Sequence, residues 1–211
     1  MQAEERERES DLARRLMAGE REAFDRFIEH FRPKIFQYSW LMCGDREDAE
    51  EVAQESLLKV FGNLDQLREP DRARAWVFRI AKNVCLMKRR KSVYAPAREL
   101  SLDEFLPRSE GQGEGRRLQI ADWSHVPESQ ALRAEMSEVL HRAIVELPEN
   151  YRSVLLLRDV EELSTEEAAS ILEVSSDVVK TRLHRARLAM RKMLDQYLQT
   201  APPALVAAEE R

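Results

Sequence analysis

LSTEEAASILEVSSDVVKTRLHRARLAM, residues 163–190, has the pattern of two short helices that meet at an angle. Ser164 followed by Glu167 is a capping box, in which the hydroxyl accepts the backbone N–H of the third helical residue and the carboxylate reaches back to the cap. That fixes the first helix at 165–172. Ala169 is small where a second helix must cross closely, and Leu172 and Val174 bracket the turn. Ser175 or Ser176 can cap the second helix, whose apolar face runs Val179, Leu183, Ala186, Met190 at spacings of four, three and four. Glu173 stands at a turn position that tends toward positive φ, where glycine is common, so a slightly strained or differently shaped turn is expected.

What faces outward from the second helix is polar or basic: Lys180, Thr181, His184 and Arg185, with Arg182 and Arg187 on the flanks. The wider stretch VVKTRLHRARLAMRKML, 178–194, carries six Lys or Arg and no acid, inside a chain of net charge −5. Solvated helix faces usually mix signs. A one-signed stripe on the second helix of such a pair suits entry into the DNA major groove, with base edges met by the first turns and phosphates neutralised by the flanks. His184 has no second ligand three or four residues away, so a metal site is not indicated there.

Composition agrees with a helical chain. The 211 residues are 43% apolar, with few aromatics, six glycines and eight prolines, too few for a turn-rich β fold. The expected class is all-α. Cys43 and Cys85 lie far apart in sequence without a CxxC or Cys/His cluster, and both read as buried thiols rather than as a zinc site or disulfide framework. No cofactor is implied. The opening MQAEERERESD is charged throughout, and no apolar run approaches the roughly 20 residues that span a bilayer. A soluble, cytoplasmic protein with no membrane insertion is expected.

Three of the glycines fall in EGQGEG, 110–115, and Pro96, Pro107 and Pro127 punctuate the same neighbourhood. This marks 92–127 as an acidic, flexible linker between two small helical domains, 1–91 and 128–199, with 200–211 as a tail. The linker reads as a tether that leaves the domains free to move independently.

Two further stretches of the first domain are charged on one face. DREDAEEVAQESLLKVF, 45–61, has six acids against two bases. On a helix it turns Ala49, Val52, Ala53, Ser56, Leu57 and Val60 to a core and presents Asp48, Glu51, Gln54, Glu55 and Leu58 on the other side. That stripe fits either a solvated face or a docking face for a basic protein surface. RARAWVFRIAKNVCLMKRRK, 72–91, has eight basic residues and no acid. Trp76 and Phe78 among cations fit either a core or a surface on which single-stranded bases stack, and Asn83 lies two turns past Trp76 on the same side.

In this order and spacing the three motifs resemble the extracytoplasmic-function (ECF) sigma factors of bacterial RNA polymerase, over most of residues 20–195. The resemblance implies a subunit that binds core RNA polymerase and directs it to promoter DNA. Asp48, Glu51, Gln54, Glu55 and Leu58 would dock on the clamp helices of the largest catalytic subunit. Leu67, Trp76, Arg79, Lys82 and Asn83 would meet the minus-ten element, Asn83 at the position of a flipped base. Lys180, Thr181, Arg182, His184, Arg185 and Arg187 would meet the minus-thirty-five element. The linker would thread toward the active-site channel. Members of this family are commonly held inactive by an anti-sigma factor, and a free monomer is expected. Two departures stand out: Leu67 replaces a frequent aromatic, and Asp177 and Val178 replace a frequent Gly-Thr pair.

A stand-alone helix-turn-helix regulator would account for 163–194 but leave the acidic stripe and the Trp76 helix without a role. It would also need a dimer interface. An enzyme is not indicated, since no nucleophile–base pair, carboxylate pair, metal cluster or phosphate loop appears in the sequence.

Overall fold

The computed structural model describes residues 2–91 and 130–200. The expected linker at 92–127 and the end of the tail therefore lie outside the described residues. Those described are helical throughout: α1 (Gln2–Met17), α2 (Arg21–Cys43), α3 (Arg46–Gly62) and α4 (Ala73–Lys91) in the first half, then α5 (Gln130–Glu146), α6 (Glu149–Leu155), α7 (Thr165–Leu172) and α8 (Ser176–Thr200). Two 3-10 turns, at 64–66 and 70–72, connect α3 to α4, and a π turn at 156–160 extends α6.

The helices follow their apolar spacing. α2 buries Ala23, Phe27, Phe31, Ile35, Tyr38 and Met42 along one stripe and continues through Pro33. It ends at Gly44, whose φ of 79° lies in the left-handed region and whose N–H reaches the Trp40 carbonyl at 2.8 Å. Only glycine suits this position twice over, because a Cβ here would also lie 2.8 Å from Val145 Cγ1 of α5. Asp45 then caps α3, accepting from the Asp48 N–H at 2.9 Å. The stripe Ala49, Val52, Ala53, Ser56 and Val60 is buried as its spacing predicts, with Leu57 half-buried. Phe78 resolves toward core: it is fully buried, edge-on to Tyr38 at 5.5 Å between centroids.

α1 follows no expectation from the sequence beyond its charge. It is held by Leu12, Ala13 and Leu16, and by Glu9, which is 2% exposed. Glu9 is the centre of the first half's polar core. It accepts from Arg74 Nε at 2.7 Å and Nη2 at 2.8 Å, from Lys34 at 2.9 Å, and faces His30 Nε2 at 2.7 Å. Burial pushes its carboxyl up, but the hydrogen bonds from His30, Arg74 and Lys34 outweigh this and hold it at about 2. Three helices, α1, α2 and α4, thus meet on one carboxylate.

The two helical halves pack on each other. Arg152 of α6 is the clearest contact. Its Nη1 donates to the Met42 carbonyl at 2.6 Å, and its Nε and Nη2 donate to the Leu147 carbonyl at 3.2 and 2.8 Å. One buried guanidinium therefore closes the carbonyl ends of both α2 and α5. Burial, with Arg89 nearby, lowers its pKa to about 10. Around it, Trp40 stacks on His141 at 4.2 Å and Arg89 pairs with Glu149 at 3.3 Å. On the other flank Arg74 Nη1 donates to the Glu161 carbonyl at 3.0 Å.

Glu9→Ala should be far more damaging than a surface change. It leaves Arg74, Lys34 and His30 facing one another in a buried site, and removal of one partner from such a cluster costs about 3–5 kcal/mol. Urea unfolding should show that loss, and the paired replacement Glu9→Leu with Arg74→Met should be markedly milder.

Candidate nucleic-acid interface

The helix pair forms as its sequence grammar requires. Glu167 N–H donates to Ser164 Oγ at 3.1 Å and Ser164 N–H donates to Glu167 Oε2 at 2.6 Å, the reciprocal capping box. Glu173 has φ 57° and ψ 42°, the left-handed turn expected of that position, and its N–H reaches the Ala169 carbonyl. Of the two candidate serines, Ser175 is the one that caps α8, its hydroxyl 3.3 Å from Val178 N–H. Val179, Leu183, Ala186 and Met190 are buried. Lys180, Thr181, His184 and Arg185 are exposed together on the opposite side, with Arg182 half-buried beside them. Lys180 lies 3.3 Å from Asp177, an exposed pair that water screens.

Arg187 differs from its neighbours. Its Nε and Nη2 donate to Asp159 at 2.9 and 2.6 Å, a bidentate pair that raises its pKa and pins the π turn to α8. Among the cations of the stripe it is exposed, but its fork is engaged with a carboxylate of the same chain.

The basic helix α4 presents less open surface than its sequence suggests. Arg79 and Asn83 are exposed, and Trp76 and Lys82 are half-buried. Leu67, expected beside them, is 3% exposed and belongs to the core, so it offers no free surface in this arrangement. Across from this face stands the start of α7. A cleft of about 550 Å³ has Leu67, Arg72, Trp76 and Arg79 on one wall and Ser164, Glu166, Glu167 and Ser170 on the other. Arg79 donates to Ser170 Oγ at 2.7 Å, and Arg6 of α1 pairs with Glu167 at 3.6 Å and donates to the Glu162 carbonyl. Two acids of the second half thus lie over the cations of the first. Nothing in the local sequence pattern announces this, since each contact joins residues about 90 or more positions apart in the chain.

On α3, Glu51, Gln54 and Glu55 are exposed and Asp48 is half-buried along one face. Leu58 among them is 72% exposed. Lys88 of α4 reaches this face, 3.1 Å from Asp48 and hydrogen-bonded to Glu51, and the two carboxylates raise its pKa. Lys59 pairs with Glu55 at 2.9 Å. The stripe keeps a net negative charge beside an apolar anchor.

Residues 27–93 match the family described as Sigma-70 region 2, and residues 137–190 match Sigma-70, region 4. A region 2 and a region 4 in one all-helical chain define a promoter-recognition subunit of bacterial RNA polymerase. The chain is 32% identical over 178 residues, 83% of its own length and 91% of the relative's, to the ECF RNA polymerase sigma factor SigW of Bacillus subtilis. It is 29% identical over 201 residues, 92% and 98% of the two lengths, to the RNA polymerase sigma-H factor of Pseudomonas aeruginosa. Two solved structures share the fold: CnrH in complex with the cytosolic domain of CnrY, at TM-score 0.60, 23% identity and 89% and 97% coverage, and RpoE in complex with the anti-sigma factor NepR from Bartonella quintana, at TM-score 0.58, 19% identity and 82% and 96% coverage. The chain belongs to the ECF group of RNA polymerase sigma factors. A separate helix-turn-helix regulator is not favoured, because region 2 accounts for the first half. No helix among the described residues is long and apolar enough to cross a membrane.

The closed arrangement should respond to pH through Glu161, in the turn that meets Arg74. Burial pushes its carboxyl up to about 8, opposed by Arg74 of α4 and Lys34 of α2 and reinforced by Glu9 and Glu5 of α1. A raised pKa means the buried group is bound best when protonated. Its contribution to closure is therefore complete below the ordinary carboxylate range and is lost as pH rises to about 8. The distance between labels on the two halves, measured by energy transfer, should lengthen between pH 5.5 and 8.5 in the wild type and change less in Glu161→Gln.

Proposed function

We propose that three faces of this sigma factor divide promoter recognition and polymerase binding among them. Lys180, Thr181, His184 and Arg185 of α8 enter the major groove at the minus-thirty-five element, and Arg182 supports them from the flank. Trp76, Arg79, Lys82 and Asn83 of α4 meet the minus-ten element, with Asn83 available to the edge of an unstacked base. Asp48, Glu51, Gln54, Glu55 and Leu58 of α3 dock on a basic surface of core RNA polymerase. The observation that carries this reading is the clean division of α8: four polar or basic side chains exposed together, and Val179, Leu183 and Ala186 fully or nearly buried behind them.

The chemistry supports each assignment. A helix whose first turns carry Lys, Thr, His and Arg offers donors for guanine acceptors, and each good bidentate pairing is worth about 1–3 kcal/mol of discrimination. The acidic stripe steers encounter with a cationic partner, and Leu58 supplies the apolar anchor. The packed halves imply a step before promoter binding, since the acids of α7 lie where minus-ten DNA would approach α4. Opening of the interface would release that face. An anti-sigma factor, the class of partner that RpoE holds in the solved complex, would find in the closed arrangement a state to stabilise.

Run-off transcription with purified core polymerase on a promoter library tests the whole reading, and its product should depend on added sigma. Reversing Glu51 and Glu55 to Lys should abolish core binding in a pull-down while circular dichroism stays helical. Retained affinity would remove the docking assignment.

Arg185→Ala should change which minus-thirty-five sequences are preferred, whereas Arg191→Ala, two turns further along α8, should weaken all sequences alike. For every phosphate that a variant no longer neutralises, the log–log salt slope should become shallower by about one unit. Equal losses across a panel of single-base variants for Arg185→Ala would reduce the helix to an electrostatic pad.

A further inference from the structure

α1 precedes residues 27–93, so neither family match covers it. Its two ends do different things. Leu12, Ala13 and Leu16 are buried, and the helix packs along α2 and the 3-10 turn at 70–72, which seats it on the first half. Arg6, nearer the other end, reaches the second half. It donates to the Glu162 carbonyl and pairs with Glu167 Oε2 at 3.6 Å.

The target of Arg6 is the turn that leads into the helix pair. Glu162 there has φ 53°, a left-handed backbone that a residue with a side chain rarely adopts. The carbonyl before it, that of Glu161, accepts from Arg74 Nη1 at 3.0 Å. Arg74 is in turn oriented by α1, through its two-point pair with Glu9 and through Glu5 at 3.5 Å. Two consecutive carbonyls of one turn are therefore held by two guanidiniums, one carried by α1 and one aimed by it. Glu167, the other partner of Arg6, is the carboxylate of the capping box, whose Oε2 accepts from Ser164 N–H at 2.6 Å. α1 thus grips the point at which α7 begins.

The two grips differ in strength. The side chains of Arg74 and Glu9 are 8% and 3% exposed, a buried pair that salt screens little. The Arg6 side chain is 41% exposed, and ion pairs so open to water are individually weak and screened by salt. The outer contact can let go while the inner one keeps α1 in place. Arg6 also lines the cleft between α4 and α7, with Trp76 and Arg79 on one wall and Glu166 and Ser170 on the other. Loss of its contact therefore loosens the cleft itself.

We propose that α1 is an autoinhibitory strap: through Arg6 it holds the 161–167 turn against the first half and so keeps the face of α4 covered by α7. Its consequence for transcription rests on the reading given above, in which that face meets minus-ten DNA. Release needs no unfolding, because an anion that competes with Glu167 for Arg6 leaves Glu9, Leu12 and Leu16 where they are.

The test uses the full chain with dyes on exposed positions of α3 and α8 and reads energy transfer. Arg6→Ala should raise the open fraction about fivefold, the scale of one exposed ion pair. Arg6→Glu sets a like charge against Glu167 and should raise it further. Arg8→Ala, an exposed change on the same helix, should leave it unchanged. Raising sodium chloride from about 50 to about 500 mM should open the wild type more than Arg6→Ala, since screening acts on a contact that the variant lacks. Circular dichroism should stay helical throughout, and if the charge reversal disturbs α1, Arg6→Ala and the wild-type salt response still decide. Transfer unchanged in both Arg6 variants, or altered equally by Arg8→Ala, would overturn the strap. Fluorescence anisotropy with a single-stranded deoxyoligonucleotide of random sequence separates this from the assignment of α4. Affinity should rise in step with opening, whereas opening without a gain in affinity would keep the strap and remove single-stranded DNA from the face of α4.

Discussion

Arg74 is the side chain on which both levels of this structure depend. Within the first half it meets Glu9 in a two-point pair and so ties the N-terminal helix to α4. With its remaining nitrogen it holds the Glu161 carbonyl of the second half. Buried ion pairs are not in themselves strongly stabilising, because desolvation offsets much of the attraction. Their effect is to fix geometry: a guanidinium with three directed partners accepts one arrangement of α1, α4 and the turn after α6, and tolerates no sliding between them.

Arg152 applies the same logic at the other end of the interface. The closing carbonyls of a helix need partners, and those of α2 and α5 converge on one buried cation. Neither is a carboxylate, and burial lowers the pKa of Arg152 to about 10, so the cation is held there at a desolvation cost. The contacts nearby, Trp40 on His141 and Val145 over Gly44, contribute the packing that offsets it. Separation of the halves would return Arg152, and Glu161 opposite Arg74, to water, so part of what closure gains in packing it loses in desolvation.

What could be read from the sequence divides by range of interaction. The α7–α8 pair was legible almost to the residue, because a capping box, a serine cap and a 4-3-4 apolar spacing act over four positions or fewer. The buried faces of α2 and α3 were legible for the same reason. The role of α1 was not: Glu5, Glu9, Leu12 and Leu16 recur at helical spacing, but a carboxylate in a charged run signals burial only if its partner is known, and Arg74 is 65 residues away. Arg187 looked like any other cation of the stripe until Asp159, 28 residues earlier, took its fork. Leu67 likewise changed meaning once the core closed over it.

The distribution of charge then explains how an acidic chain can carry a basic face and still keep it covered. Excess carboxylate is not spread evenly. Some of it lies on α3, away from α8, and some lies at the start of α7, where Glu166 and Glu167 look across a cleft toward Arg72 and Arg79. Those acids also serve the capping box and the dipole of α7, so their sign at that position is required by the helix itself. One local requirement of the helix-turn-helix, a carboxylate at its first turn, therefore supplies the negative surface that meets the basic face of α4. A phosphate approaching α4 would compete for the same cations, which makes closure and anion binding at α4 electrostatic alternatives.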